Sequence, residues 1–108
     1  MIYEERIYTA VPGKMPDLKK RFAETTIRMF KKHGIHVVGF WETVIGPNNN
    51  DLVYILGFKS LAERERCWQV FVEDEEWQRA KVESEKNGPL VASIANRILK
   101  PTEFSPLQ

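Results

Sequence analysis

The sequence is short of the residues that staple or metallate small proteins. It has one cysteine and two histidines in 108 residues. A lone Cys67 excludes an intrachain disulfide and suits a reducing compartment. It is read as a buried, inert thiol, because no histidine is adjacent to it in sequence. His33 and His36 flank a helix end with no further ligand at metal spacing, so no metal is expected. Excess charge of either sign is missing too. Sixteen Lys and Arg face fifteen Asp and Glu, a net charge of +1. That balance gives neither a nucleic-acid footprint nor a polybasic membrane signal. No apolar run approaches the roughly 20 residues of a spanning helix. The opening "MIYEERIYTAVPG" has no apolar signal-peptide core, and Glu4 and Glu5 speak against a transit peptide. There is no glycine-rich phosphate loop, no Ser-His-Asp arrangement and no nucleotide fingerprint, so no cofactor is expected. "GPNNND" reads as a turn. The expectation is a cytoplasmic protein with no nucleic-acid or membrane partner.

What is present is a 43% hydrophobic chain, enough for one domain with its own core. Ile2 to Val11 alternates with period two and predicts a strand, ended by Pro12 and Gly13. A helix follows from about Pro16 to His33. Leu18, Phe22, Thr25, Met29 and Phe30 form its buried stripe, and Gly34 stops it. Lys19, Lys20, Arg28, Lys31 and Lys32 form its solvated face. Ile35 to Ile45 and Leu52 to Lys59 predict two strands around the turn Pro47 to Asn50. Ser60 and Glu63 form a capping box for a second helix, and Asp74 caps a further helix bent from it. Asn87, Gly88 and Pro89 end that helix, and Ala92 to Lys100 predicts the last strand. Residues 1–101 make the domain and 102–108 a tail.

The order β-α-β-β-α-β is that of an α+β, ferredoxin-like fold with a four-stranded antiparallel sheet. Its helices cover one face of the sheet only. With Pro47 to Asn50 as the whole loop, Ile45 pairs with Leu52, Thr43 with Tyr54 and Trp41 with Leu56. A slip of one residue would put Phe40 in place of Trp41. Trp41, Tyr54, Leu56 and Phe58 are then expected on the uncovered face, a patch larger than a monomer tolerates. A second copy of the same face would cover it, giving a homodimer.

Several segments resemble the NIPSNAP family. They are "YEERIYTAVPGKM", "KHGIHVVGFWETVIG", "SLAERERCW", "EDEEW" and the closing "ILKP". Their order and spacing match over Ile2 to Pro101. Two positions depart from the family pattern: Glu5, where Leu is usual, and the third strand, where Tyr54 and Leu56 stand for His and Trp. The resemblance implies a dimeric α+β barrel, with clefts between sheet and helices or at the seam. It implies no particular reaction, since the wider superfamily holds monooxygenases, isomerising enzymes and proteins of no known activity.

Chemistry-bearing residues gather on the first strand. Glu4, Arg6 and Tyr8 share one face by period two. Arg6 suits orientation of a carboxylate or enolate oxygen, Glu4 the part of a base, and Tyr8 that of a hydrogen-bond donor. The alternative is a structural ion pair under a tyrosine lid that fixes dimer register. The hairpin adds Trp41, Thr43 and Tyr54, as ligand wall or as interface core. The leading expectation is a homodimer binding a small, partly apolar molecule in a cleft by the sheet. The alternatives are a cofactor-free enzyme of the monooxygenase or isomerase kind, and an interaction module without ligand.

Overall fold

The alternating first strand is one of the two inner strands of the sheet. A computed structural model describes residues 1–108. The elements are β1 (Ile2–Ala10), α1 (Met15–Arg21), a π-helical turn (Phe22–Thr26), α2 (Ile27–Lys32), β2 (His36–Glu42), β3 (Asp51–Phe58), α3 (Leu61–Glu73), α4 (Glu75–Ser84) and β4 (Val91–Leu99). The sheet order is β2-β3-β1-β4, antiparallel throughout. This is the ferredoxin-like α+β fold. No helix is long and apolar enough to cross a membrane.

Most helix ends are built as the sequence predicts, although α4 stops at Ser84, short of the expected Asn87. Pro16 sits in the first turn of α1, where its missing N–H costs nothing. Gly34, at φ +73°, supplies the left-handed residue after α2. Ser60 Oγ accepts from the Glu63 N–H at the start of α3. The reciprocal bond is displaced by one residue: the Glu63 carboxylate accepts from the Lys59 N–H at 2.6 Å. Asp74 Oδ1 accepts from the Glu76 N–H and caps α4. Its extended backbone, with ψ 121°, bends the chain between α3 and α4. Asp74 Oδ2 also meets Lys32 Nζ at 2.8 Å and His33 Nε2 at 2.7 Å. These bonds tie the end of α2 to the bend and hold the Asp74 carboxyl well below the usual range.

The π turn changes which side chains the first helical rod buries. The Ile27 N–H reaches back five residues to the Phe22 carbonyl. The extra residue moves the buried position inside the turn, while Met29 and Phe30 beyond it are buried as expected. Thr26 is buried where Thr25 was expected, and Arg21, just before the turn, is buried with it.

The core corrects the expected faces of the hairpin. Tyr54, Leu56 and Phe58 lie under the helices, packed with Leu18, Phe22, Phe30 and Phe71. Each is at most 2% exposed, and such burial contributes about 1.5–3 kcal/mol per large apolar side chain. The expected pairing is also three residues out. Glu42 pairs with Leu52, Trp41 with Val53 and Phe40 with Tyr54. Three is odd, so the faces exchange. The cause is a longer loop. Thr43 N–H and Oγ1 both donate to the Asp51 carbonyl, while Asn48 Oδ1 and its carbonyl accept from the Asn50 and Asp51 N–H groups. Val44 and Ile45 therefore leave the sheet and stand exposed. A bulge between Val37 and Gly39 adjusts β2 further.

The uncovered face carries a different apolar set. Ile7 stands between Val53 and Ala95, and Ile55 pairs with Glu5 and Gly39. Trp41 is 49% exposed on this face. Its ring lies over Gly39: a Cβ there would come within 2.8 Å of Cη2. The Glu5–Arg97 ion pair, at 2.9 Å, flanks the set. At the other end Tyr3 donates its hydroxyl proton to the Gln108 carbonyl, so the chain's last residues lie against β1.

Candidate functional site

Two polar regions meet the helix side of the sheet. The first grows from β1. Period two places Glu4, Arg6 and Tyr8 in a row beneath the helices, beside Tyr54 on β3. Glu4 is fully buried, and its carboxylate accepts five hydrogen bonds. Arg64 donates from Nε at 2.8 Å and Nη2 at 2.9 Å. Arg6 Nη1 donates at 2.9 Å, Asn96 Nδ2 at 2.8 Å and Trp68 Nε1 at 3.1 Å. Burial alone would raise the Glu4 pKa. The bonds from Arg64, Asn96, Trp68 and Arg6 more than offset it, and the pKa falls to about 2. Five donors exhaust the roughly four acceptor sites of a carboxylate. Such a group is a fixed anion that orients cations and is poorly placed to take a substrate proton.

Arg6 is held as firmly. Its Nε donates to Tyr54 Oη at 2.9 Å, and its Nη2 to Tyr8 Oη at 3.3 Å. Its guanidinium carbon lies 4.5 Å from the centre of the Trp68 ring, a cation–π contact. Burial pushes the Tyr54 phenol pKa well up, so Tyr54 stays neutral. Tyr8 accepts from Arg6 and makes no further hydrogen bond within the chain, which leaves its own proton to donate.

The second region is a cavity of about 390 Å³ between sheet and helices. Tyr8 stands on its floor, with Val91 and Ile94 of β4 at the edge. Phe22, Phe30, Phe71 and Trp77 form an aromatic wall. Both Phe22 and Thr26, at the two ends of the π turn, face the cavity. Its polar side is Arg21, Lys81 and Glu85.

The expected site residues thus divide. Glu4, Arg6, Tyr8 and Tyr54 come together, and Tyr8 alone of them lines the cavity. Trp41 lies over Gly39 on the opposite face, and Thr43 closes the hairpin through Asp51. Sequence reasoning missed Arg21, Trp77 and the Glu4 partners Arg64 and Asn96. For Arg21 a signal existed: it stands three residues after Leu18, on the buried stripe, where a cation is out of place. Cys67 is buried in the core. No group of three or more His, Cys, Asp or Glu side chains comes together that would suit a metal ion.

The fold and the sequence are shared with known proteins. The NIPSNAP family model matches residues 3–106. A NIPSNAP family protein from Agrobacterium tumefaciens is 34% identical over 99% of this chain and 98% of its own, with a TM-score of 0.88. A NIPSNAP-like domain protein from Burkholderia xenovorans is 30% identical over 97% of this chain and 88% of its own, with a TM-score of 0.86. A putative antibiotic biosynthesis monooxygenase from Nitrosomonas europaea shares the fold, with a TM-score of 0.64 over 94% of this chain and 98% of its own, but only 9% identity. No curated protein matches the chain.

Proposed function

The chain belongs to the NIPSNAP family, and we propose that it is a homodimer that binds a small, partly apolar molecule in the cavity between sheet and helices. The observation that carries the binding reading is the lining of that cavity. Apolar side chains, five of them aromatic, supply most of the wall, and a few polar groups converge on it, the pattern of small-molecule sites of this size. The saturated Glu4–Arg6 network supports Tyr8 from behind, so its hydroxyl is held in one position without a mobile partner. A second reading, a cofactor-free enzyme, draws on the same hydroxyl. A phenol anchored by Arg6 is placed to donate to a carbonyl or enolate oxygen. The cytoplasm as its location is supported by the single free cysteine.

The dimer reading rests on the uncovered face of the sheet. Ile7, Val53, Ile55 and a half-exposed Trp41 form an apolar strip with no helix over it. A two-fold copy of the same strip is the self-complementary cover. Sedimentation at micromolar concentration should give twice the 12.6 kDa chain mass, and Ile55→Asp should yield monomer or unfolded chain. A wild-type monomer would remove the dimer from the proposal.

Binding is tested with indole and phenol as neutral probes, followed by calorimetry. Ile94 is exposed at the cavity edge, so Ile94→Trp should fill the entrance without disturbing the core. The proposal expects saturable binding to the wild type and its loss in the variant. Equal binding to both proteins would move the site elsewhere.

A further inference from the structure

Arg21 is the one buried charge that the fold leaves incompletely partnered. The residue is 7% exposed, the most deeply buried cation of the chain. Its Nη1 donates to Ser84 Oγ at 3.2 Å and to Glu85 Oε1 at 3.3 Å, both long for charge-assisted bonds. Its Nε–H is buried with no acceptor at all. Nη2 makes no hydrogen bond within the chain either. A guanidinium has five N–H donors, and here the whole Nε–Nη2 edge is unused. Leaving a buried donor unpaired is unfavourable, and a suitable ligand would relieve it.

Arg21 belongs to the cavity wall, next to Trp77, whose ring centre lies 5.5 Å from the guanidinium carbon. Arg21 and Lys81 against Glu85 leave the lining with one net positive charge. The Nε–Nη2 edge is the side-on edge at which a carboxylate accepts two parallel bonds. From this we infer that Arg21 is the anion anchor of the cavity and that the ligand is a small aromatic monocarboxylate. Its carboxylate takes the free edge of Arg21, and its ring lies among Phe22, Phe30, Phe71 and Trp77. The Nε is closed to solvent, so a carboxylate reaches it only as neighbouring groups move aside. Glu85 is the competing anion: it holds Nη1 and repels the ligand.

This inference rests on the cavity reading, and the experiment separates the two. Phenylacetate and phenylacetamide are close in shape and differ in charge. Calorimetry at low salt should show the acid binding about tenfold or more tightly than the amide, the worth of one charge-assisted pair. Arg21→Gln should abolish the preference. Glu85→Gln keeps Arg21 in place and should strengthen binding of the acid several-fold while leaving the amide unchanged, and that gain should shrink when Arg21→Gln is added, a result that a purely structural Arg21 would not give. If the amide binds as well as the acid, or if Arg21→Gln and Glu85→Gln leave the preference untouched, the anchor is refuted and the cavity reading stands. If neither probe binds at millimolar concentration, both fail together.

Discussion

The chain buries two arginines against the same sheet, and they are treated in opposite ways. Arg6 donates to Tyr54, Glu4 and Tyr8, lies over Trp68, and shares its carboxylate with Arg64. Arg21 makes two long bonds from one nitrogen and leaves another nitrogen without a partner. Desolvating either cation costs several kcal/mol. Around Arg6 the fold recovers that cost with its own groups. Around Arg21 it does not, and Arg21 is part of a cavity wall. The difference separates scaffold from site: a saturated network fixes geometry, whereas an unsaturated one is open to a ligand.

Substitution should separate the two regions most sharply. Glu4→Ala removes the acceptor of five bonds and leaves Arg6 buried without its counter-ion, so it should cost about 3–5 kcal/mol in urea unfolding. Arg21→Met removes two long bonds and frees a partly exposed Glu85 to water. It should change stability by no more than about 1 kcal/mol, in either direction. Equal losses from the two changes would end the distinction.

A weaker effect is expected from acid. The Glu4 pKa is lowered from 4.5 to about 2 in the fold. Its contribution is therefore complete above pH 4.5 and is lost as the pH falls from there through 2. The full amount is about 3 kcal/mol by proton linkage. Asp74, lowered by its bonds to Lys32 and His33, acts in the same direction. Urea midpoints across this range should fall for the wild type and fall less for Glu4→Gln. A flat wild-type profile would mean that the Glu4 network is not maintained in solution.

The smallest change concerns Tyr8, where the regions touch. Tyr8→Phe removes one neutral acceptor from Arg6 and should cost about 0.5–1.5 kcal/mol of stability. It also removes the only hydroxyl that the first cluster presents to the cavity, so it should weaken probe binding more than it weakens the fold. Calorimetry and unfolding on the same variant compare the two. A variant with unaltered affinity would confine Tyr8 to the scaffold.

Much of this arrangement is legible in the sequence where a local rule governs it. Period two in β1 groups Glu4, Arg6 and Tyr8. Ser60, Asp74 and Gly34 mark helix ends by their capping chemistry. What fails to show is set by distant or irregular structure. The Glu4 carboxylate is completed by Arg64, Trp68 and Asn96, which are 60, 64 and 92 residues away. Val44 and Ile45 have strand composition, yet the bonds of Thr43 and Asn48 assign them to the loop, and this shift exchanges the faces of β2. Thr26 is hidden for a related reason. The π turn that holds it breaks the 3.6-residue period by which a buried stripe is counted, and no residue in "RFAETT" announces that turn.

The most direct measurement is a crystal structure of the protein soaked with phenylacetate. The account predicts the carboxylate within hydrogen-bond distance of Arg21 Nε, with the phenyl ring against Phe71 and Trp77 and the Glu4–Arg6 cluster unmoved. A carboxylate bound instead at Arg6, or a ligand on the uncovered face of the sheet, would contradict it.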